Sequence, residues 1–348
     1  MPRVWDIPVH DSTRVRDVRV AAERAAVRAG LDEPRTAAAA LVATELATNL
    51  LKHAGGGQVL IDVVDPPLPE EGAPMTVQIA AIDHGQGMAD VRVALRDGYS
   101  TARSLGAGLG TCRRIADDFG LYSVPGRGTV ALARIGTRTK EADPAAPVRV
   151  GGVNVPLAGA EYSGDAWAWA RSGDLLTLMM ADGLGHGPEA ARASTAATRA
   201  LHGSAHLPPA EALVHLDSAL HGTRGAAVAV AQVDTRAGVL RFAGIGNIGA
   251  RLREGDRWRS LLSRPGIVGV HRHATQREER MPWAADRMLI LHSDGLPSRW
   301  TAPSDPSLLA ADPAVVAAVT LRDASSSARP VRDDTAVAVL APTPSEDR

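Results

Sequence analysis

An apolar run of strand length that ends abruptly at an acid is the feature that most limits what this chain can fold into. Leu178-Met179-Met180-Ala181 stops at Asp182-Gly183, and Leu184-Gly185-His186-Gly187, Pro188 and an Ala-rich stretch follow. A second run, Met288 to Leu291, leads through His292-Ser293 to Asp294-Gly295. Two more acids open strands instead of closing them. Ser163-Gly164-Asp165 precedes Ala166–Ala170, and Asp333-Asp334-Thr335 precedes Ala336–Leu340. Taken singly, the Asp182 stretch also fits a plain strand-to-helix turn. Taken together, acids at the ends of neighbouring strands converge on one oxygen-rich pocket, which suits a hard cation. Gly183 lets its own carbonyl approach such an ion with no Cβ in the way.

The length of 348 residues predicts two domains, and 45% hydrophobic with 22% charged residues is a globular composition. A net charge of −1 gives no broad attraction to nucleic acid or anionic lipid. The single cysteine, Cys112, excludes an internal disulfide and a multi-Cys zinc site. No apolar run is long enough to span a bilayer, and the first residues lack the apolar core of a secretion signal, so a cytoplasmic location is expected.

Residues 3–10 read as a first strand, and Asp11-Ser12-Thr13 as a cap on a helix whose face is Val15, Val18, Ala22, Ala25 and Ala26, ending at Gly30. Pro34–His53 reads as a second helix. It puts Glu45, Asn49 and Lys52 on one stripe, which alone also suits a solvated face, with Leu41, Leu46, Leu50 and Leu51 packing elsewhere. Strands are expected at Gln58–Val64 and Met75–Ile82, joined by an exposed loop at 65–72. The second strand runs into Asp83-His84-Gly85-Gln86-Gly87-Met88. A polar loop, 97–104, leads to Gly106-Ala107-Gly108-Leu109-Gly110-Thr111 and a helix over Cys112–Phe119, and two strands, Leu121–Val124 and Thr129–Ile135, close the unit. Glycines opening a helix offer backbone N–H groups to phosphate. A dinucleotide loop needs a strand directly before its first glycine, and a Walker loop needs Lys-Ser or Lys-Thr after the last. Neither is present.

Thr44-Glu45-Leu46-Ala47-Thr48-Asn49, Asp83-His84-Gly85-Gln86-Gly87, Gly106-Ala107-Gly108-Leu109-Gly110-Thr111 and Gly126-Arg127-Gly128-Thr129 resemble the boxes of the GHKL ATPase superfamily, in order and at the right spacing. The short unit, with no histidine-bearing helix before it, is similar to anti-sigma and switch serine kinases of the RsbT type. That resemblance implies a mixed sheet covered by helices, binding ATP and Mg²⁺. Asn49 would hold the Mg²⁺, Glu45 would polarise the attacking hydroxyl of a protein serine or threonine, and Asp83 would accept from the adenine amino group. Gly85 and Gly87 would let the purine approach, and Lys52, Gly106, Gly108, Gly110, Thr111 and Thr129 would complete the nucleotide site. A carboxylate beside the nucleophile and a metal on the phosphates match in-line phosphoryl transfer.

The polar, proline-bearing stretch around 139–148 reads as a linker between domains at 1–138 and 149–341, with a polar tail at 342–348. It is expected to tether the halves passively, each folding alone. In the second half, helices are expected at Pro188–Leu201 and Pro209–Leu220, and strands at Ala226–Asp234, Val239–Ala243 and Ala250–Leu252. A solvated charged loop is expected at Arg272–Arg280. His202, His206, His271 and His273 have no acidic partner motif and are not read as metal ligands. Ser163-Gly164-Asp165, Asp182-Gly183-Leu184-Gly185-His186-Gly187, Gly246-Asn247, Ser293-Asp294-Gly295 and Asp333-Asp334-Thr335 resemble the SpoIIE/RsbX-type branch of the metal-dependent PPM protein phosphatases. This implies an α/β fold of two packed antiparallel sheets flanked by helices. Asp182 would bridge two Mn²⁺ or Mg²⁺ ions, with the Gly183 carbonyl, Asp294 and Asp334 on the first and Asp165 acting near the second. Two such cations about 3.5–4 Å apart activate water and clamp a phosphate, with no protein nucleophile.

Joined, the two resemblances imply a bifunctional partner-switching regulator: a protein serine/threonine kinase fused to a phosphoserine/phosphothreonine phosphatase, acting on STAS-domain proteins that control a sigma factor or stress output. Two rivals stand beside it. In one the N-terminal domain only binds ATP and sequesters a partner; in the other its ATP gates the phosphatase. Neither a nucleic-acid nor a membrane partner is expected, and homo-oligomerisation is left open.

Overall fold

The computed structural model describes residues 3–64, 75–95, 108–136, 147–158, 160–270, 277–325 and 333–344. The loops at 65–72 and 97–104, Gly106, His271 and His273, and most of the 139–148 linker and 342–348 tail lie outside them.

The first sheet has the order β1-β2-β3-β5-β4, all antiparallel, from Trp5–Val9, Gly57–Val64, Thr76–Ile82, Gly128–Ile135 and Asp118–Val124 respectively. One face carries α1 (Ser12–Arg28), α2 (Glu33–Asn49) and, after a four-residue helix α3 (Val91–Ala94), α4 (Leu109–Ile115). Asp11 caps α1 by accepting the Thr13 and Arg14 N–H groups, and Asp32 caps α2 through Arg35 N–H. The expected helix over Pro34–His53 divides. Regular α-helix ends at Asn49, and Leu50–Ala54 form a π-turn that closes at Gly55 with φ +72. Leu41, expected to pack, is 43% exposed, because the helix turns that position away from Leu46 and Leu50. The helix expected at Cys112–Phe119 lies earlier, and Phe119 belongs to β4. The reason is a period of two: Phe119 and Leu121 pack toward the helices, while Tyr122 packs on the opposite face.

The second half is a sandwich. One sheet has the order β12-β11-β14-β15-β6 (Arg257–Leu261, Gly249–Glu254, Arg287–His292, Thr335–Pro342, Val148–Val155). The other runs β13-β10-β9-β8-β7 (Glu279–Pro282, Val239–Ile245, Ala226–Asp234, Leu175–Gly183, Asp165–Ser172). Their facing side chains, among them Leu178, Met180, Phe242, Leu289, Leu291, Ala338 and Leu340, form one core. Helices α5 (Pro188–Ser204) and α6 (Pro209–Ala219) cover the outer face of the β7–β8–β9 sheet. Glu279 and Arg280, expected in a solvated loop, pair with β10 as an edge strand, and Pro342 still pairs with Val148.

The outer face of the other sheet carries α7 (Pro306–Leu309) and α8 (Pro313–Ala324). Val153, Val155, Val337, Val339 and Ala341 pack on one side of α8, while Leu60, Ala80, Ile82, Val130 and Leu132 of the first sheet belong to the same cluster. Every residue from Pro313 to Arg322 is buried, as a helix enclosed on all sides must be. The halves are therefore not beads on a passive tether; they share a layer. Arg134 donates two hydrogen bonds to Asp312 (2.8 and 2.9 Å), and Gln78 Nε2 donates to the Gly152 carbonyl across the same seam (2.9 Å). Among the described residues no helix is long and apolar enough to cross a membrane.

Two candidate active sites

The acids of the second half meet at one end of the sandwich. Asp165 opens β7 and Asp182 is the last residue but one of β8, and the two are direct partners across that ladder. Asp294 follows β14 and Asp334 precedes β15, which are neighbouring strands of the opposite sheet. Backbone donors and short side chains hold this end rigid. Asp334 accepts Leu157 N–H (2.7 Å) on one oxygen and Gly164 N–H (2.8 Å) on the other. Asn247 Nδ2 donates to Asp294 (2.7 Å). Ser163 Oγ donates to Asn154 (2.9 Å), whose Nδ2 donates to the Asp165 carbonyl (2.7 Å). A Cβ on Gly183 would collide with the Ala190 carbonyl of α5, so glycine is needed there for close packing.

Gathering carboxylates has an electrostatic consequence. Burial, then the charges of Asp294, Asp333 and Asp334, push Asp182 up to about 7. Burial, then Asp182, raises Asp165 well above the usual carboxylate range. Asp165 Oδ2 is buried with no hydrogen-bond partner. An orphaned, repelled carboxylate is what a divalent cation relieves, so these residues fit hard cations. Among the described residues no three acidic, histidine or cysteine side chains form a ready cage. A hard cation that keeps several waters needs only one or two carboxylates.

Three neighbours were given no role in the sequence reading. Asp333 adds a further charge felt at Asp182. The Arg224 guanidinium stands 3.2 Å from where a Cβ on Gly185 would lie, at the rim of the 182–187 turn. His292 accepts from Trp300 Nε1 (3.2 Å) at Nε2, and its Nδ1 lies 2.9 Å from the Ser293 carbonyl. These partners select the neutral ring with the proton on Nδ1, and burial lowers its pKa. The signal for His292 was its place inside the His-Ser-Asp-Gly run.

In the first half, α2 presents Glu45 and Asn49 one turn apart. The π-turn after Asn49 shifts Lys52 off the regular helical stripe, but its charge still lowers the pKa of Glu45, which burial raises more strongly. Asn49 Nδ2 is buried without a partner; an amide there offers an oxygen to a cation and an N–H to a phosphate. Asp83, 7% exposed, accepts Gly85 N–H (2.8 Å) and Thr129 N–H (3.1 Å) on the same oxygen, Oδ1. No described residue donates to its other oxygen, leaving it for a ligand donor. Burial raises the Asp83 pKa, and those two N–H bonds oppose the rise. Gly87 at φ +65 would collide with the Val124 carbonyl if it carried a Cβ, and Gly128 at φ +82 with that of Asp83. Ser123 Oγ receives Met88 N–H (2.8 Å) and bonds Thr129 Oγ1 (2.9 Å). Gly108, Gly110 and Thr111 stand at the start of α4, and Gly110 and Cys112 are buried. Burial, then Glu45, pushes the Cys112 thiol up to about 12, so it is inert at neutral pH.

Residues 9–134 match the histidine kinase-like ATPase domain family, and residues 172–342 match the stage II sporulation protein E (SpoIIE) family. The serine/threonine-protein kinase RsbT of Bacillus subtilis is 41% identical over 86 residues, 25% of this chain. The chain spans 61% of RsbT's length in that match. Among solved structures, one described as "The bacterial stressosome: a modular system that has been adapted to control secondary messenger signaling" is 28% identical. It covers 56% of this chain and 98% of its own, with a TM-score of 0.49. The PP2C phosphatase domain and a fragment of the regulatory domain of Bacillus subtilis SpoIIE cover 95% of this chain and 93% of their own. Identity there is 15% and the TM-score 0.49.

Proposed function

We propose that this chain, which joins a histidine kinase-like ATPase domain to a SpoIIE-type phosphatase domain, adds phosphate to one serine or threonine of a partner-switching circuit and removes it from another. The substrates in this reading are STAS-domain regulators of a sigma factor or stress response. The observation that carries it is the pairing of two separate, incomplete sites in one chain: four carboxylates at one end of the sandwich, and an unpartnered Asn49 amide one turn from Glu45.

At the sandwich end, Asp182, the Gly183 carbonyl, Asp294 and Asp334 would hold one divalent cation, with Asp182 shared and Asp165 supporting a second. Such ions supply an activated water and a clamp on the phosphate. This chain's own residues fix the geometry. Leu157 and Gly164 N–H groups orient Asp334, Asn247 orients Asp294, and Arg224 stands where it can take a phosphate oxygen at the rim.

At the ATPase end, the Asp83 oxygen to which no described residue donates would accept the adenine amino group, and Asn49 would hold the Mg²⁺ on the phosphates. Glu45, already pushed toward a higher pKa by burial, takes the proton of the incoming hydroxyl. The test is transfer of labelled γ-phosphate from ATP to purified STAS-domain proteins in Mg²⁺. Label on a serine or threonine of one of them is expected. A stable complex with no label supports sequestration and contradicts the kinase half.

A further inference from the structure

Helix α8 belongs by sequence to the phosphatase half, between Asp294 and Asp334, yet it forms the floor of the nucleotide half. At its start, Asp312 accepts Ala314 N–H (2.8 Å) and both Arg134 hydrogen bonds. In its middle, Val315 occupies the space a side chain on Gly120 would need; its Cγ2 lies 2.7 Å from that Cβ position.

Its last turn reaches both segments that make the adenine end. His84 Nε2 lies 3.1 Å from the Arg322 carbonyl, and His84 sits between Asp83 and Gly85. Arg127 Nη2 donates to Asp323 (2.6 Å), two residues before the Thr129 that holds Asp83. The Arg322 side chain is 1% exposed. Its Nε donates to Asp323 Oδ1 (2.9 Å), and Nη2 is ion-paired to the same atom (2.8 Å). Nη1 has no acceptor among the described residues. The buried guanidinium also opposes the burial-driven rise of the Asp83 pKa.

The other side of α8 rests on β15 and β6 through Val337, Val339 and Val153. Ser293 and Ala336 bond each other twice, Ser293 N–H to the Ala336 carbonyl (3.1 Å) and Ala336 N–H to Ser293 Oγ (2.9 Å). They tie the strand end that carries Asp294 to the one that carries Asp334. A packed layer of this kind passes displacement on instead of absorbing it.

We propose that the last turn of α8 couples the two sites: nucleotide seated at Asp83 shifts the phosphatase carboxylates through Arg322 and Asp323, and the phosphatase half positions the adenine carboxylate in return. The inference rests on the reading of the Asp83 box as a nucleotide site. Coupling between sites is reciprocal and spans roughly 5- to 150-fold in affinity.

The test uses the full-length chain with Mn²⁺ and p-nitrophenyl phosphate, titrated with a non-hydrolysable ATP analogue whose binding is followed in parallel. At saturation the phosphatase kcat/KM is expected to change by about fivefold or more. Arg127→Asp places like charges together opposite Asp323 and leaves the Arg322–Asp323 pair in place. It is expected to leave nucleotide-free hydrolysis within about twofold and to shrink the nucleotide effect to below about 1.5-fold. Arg127→Lys keeps the opposite-charge pair and is expected to keep the effect, a retention that distinguishes loss of the charge pair from loss of the arginine side chain as such. A bound analogue with less than 1.5-fold change in the unmodified chain overturns the proposal, as does full coupling in Arg127→Asp. In both cases the two-site reading survives. An analogue that does not bind, or an absence of metal-dependent hydrolysis, brings down that reading and the coupling with it.

Discussion

The two sites are built from opposite materials. The sandwich end concentrates charge: burial, then the charges of Asp294, Asp333 and Asp334, push Asp182 to about 7. The Asp83 end holds one buried carboxylate and otherwise offers backbone N–H groups and glycines at φ +65 and +82. One site is incomplete for want of positive charge, and the other for want of a planar, hydrogen-bonding ligand. This difference says where each is fragile. In the proposed reading the first would depend on ions and carry a folding cost without them; the second depends on backbone conformation that glycine alone adopts easily.

The strongest way to separate them is Asp182→Asn. Metal-dependent hydrolysis of p-nitrophenyl phosphate is expected to fall about a thousandfold, while ATP binding is unchanged. The same substitution should stabilise the metal-free protein at pH 8. The folded-state pKa of Asp182 is raised, so its stabilising contribution is present below the ordinary value of 3.8 and is lost as pH rises through about 7. Asparagine mimics the protonated form, and a gain of about 1–3 kcal/mol is expected in urea unfolding with chelator present. A loss of stability there contradicts the charge-repulsion account.

Glu45→Gln should lower phosphotransfer about a hundredfold with ATP affinity nearly intact, read by label transfer beside equilibrium binding. Normal transfer removes the carboxylate from the chemistry.

A milder effect follows from pH. Burial raises the pKa of Asp83, and a proton on its free oxygen would take the place of the adenine amino hydrogen. Nucleotide affinity should therefore fall as pH drops through that raised value, approaching about tenfold per unit below it. A profile that stays flat as pH falls into the ordinary carboxylate range contradicts the adenine role. Smallest is Arg224→Met, expected to raise KM for a phosphoprotein about fivefold with less change in kcat. An equal fall in kcat at fixed KM places Arg224 elsewhere in the mechanism.

The legible parts of this molecule were those whose chemistry is local. Asp182-Gly183 and Asp83-His84-Gly85 stand at strand ends that hydrophobic runs mark by themselves, and the structure puts the strands where those runs are. Helix α8 was not read at all. Its sequence, Pro-Ala-Val-Val-Ala-Ala-Val-Thr-Leu-Arg-Asp-Ala, has no polar stripe because both sides are covered. A signal was present in the first sheet. In Thr76–Ile82, Val77, Ile79 and Ala81 face the helices while Ala80 and Ile82 face α8. A strand apolar on both faces announces a layer on each side. The π-turn after Asn49 was equally hidden, since nothing in Leu-Leu-Lys-His-Ala distinguishes it from regular helix.

The central claim is that one chain carries two opposed phosphoryl chemistries at separate sites. Its most direct test takes two readings from one preparation: transfer of labelled phosphate from ATP to a STAS-domain protein, and Mn²⁺-dependent release of phosphate from a phosphoserine protein. Glu45→Gln is predicted to abolish the first and keep the second, and Asp182→Asn to do the reverse. Loss of both reactions from either substitution, or no transfer by the unmodified chain to any STAS-domain protein, contradicts it.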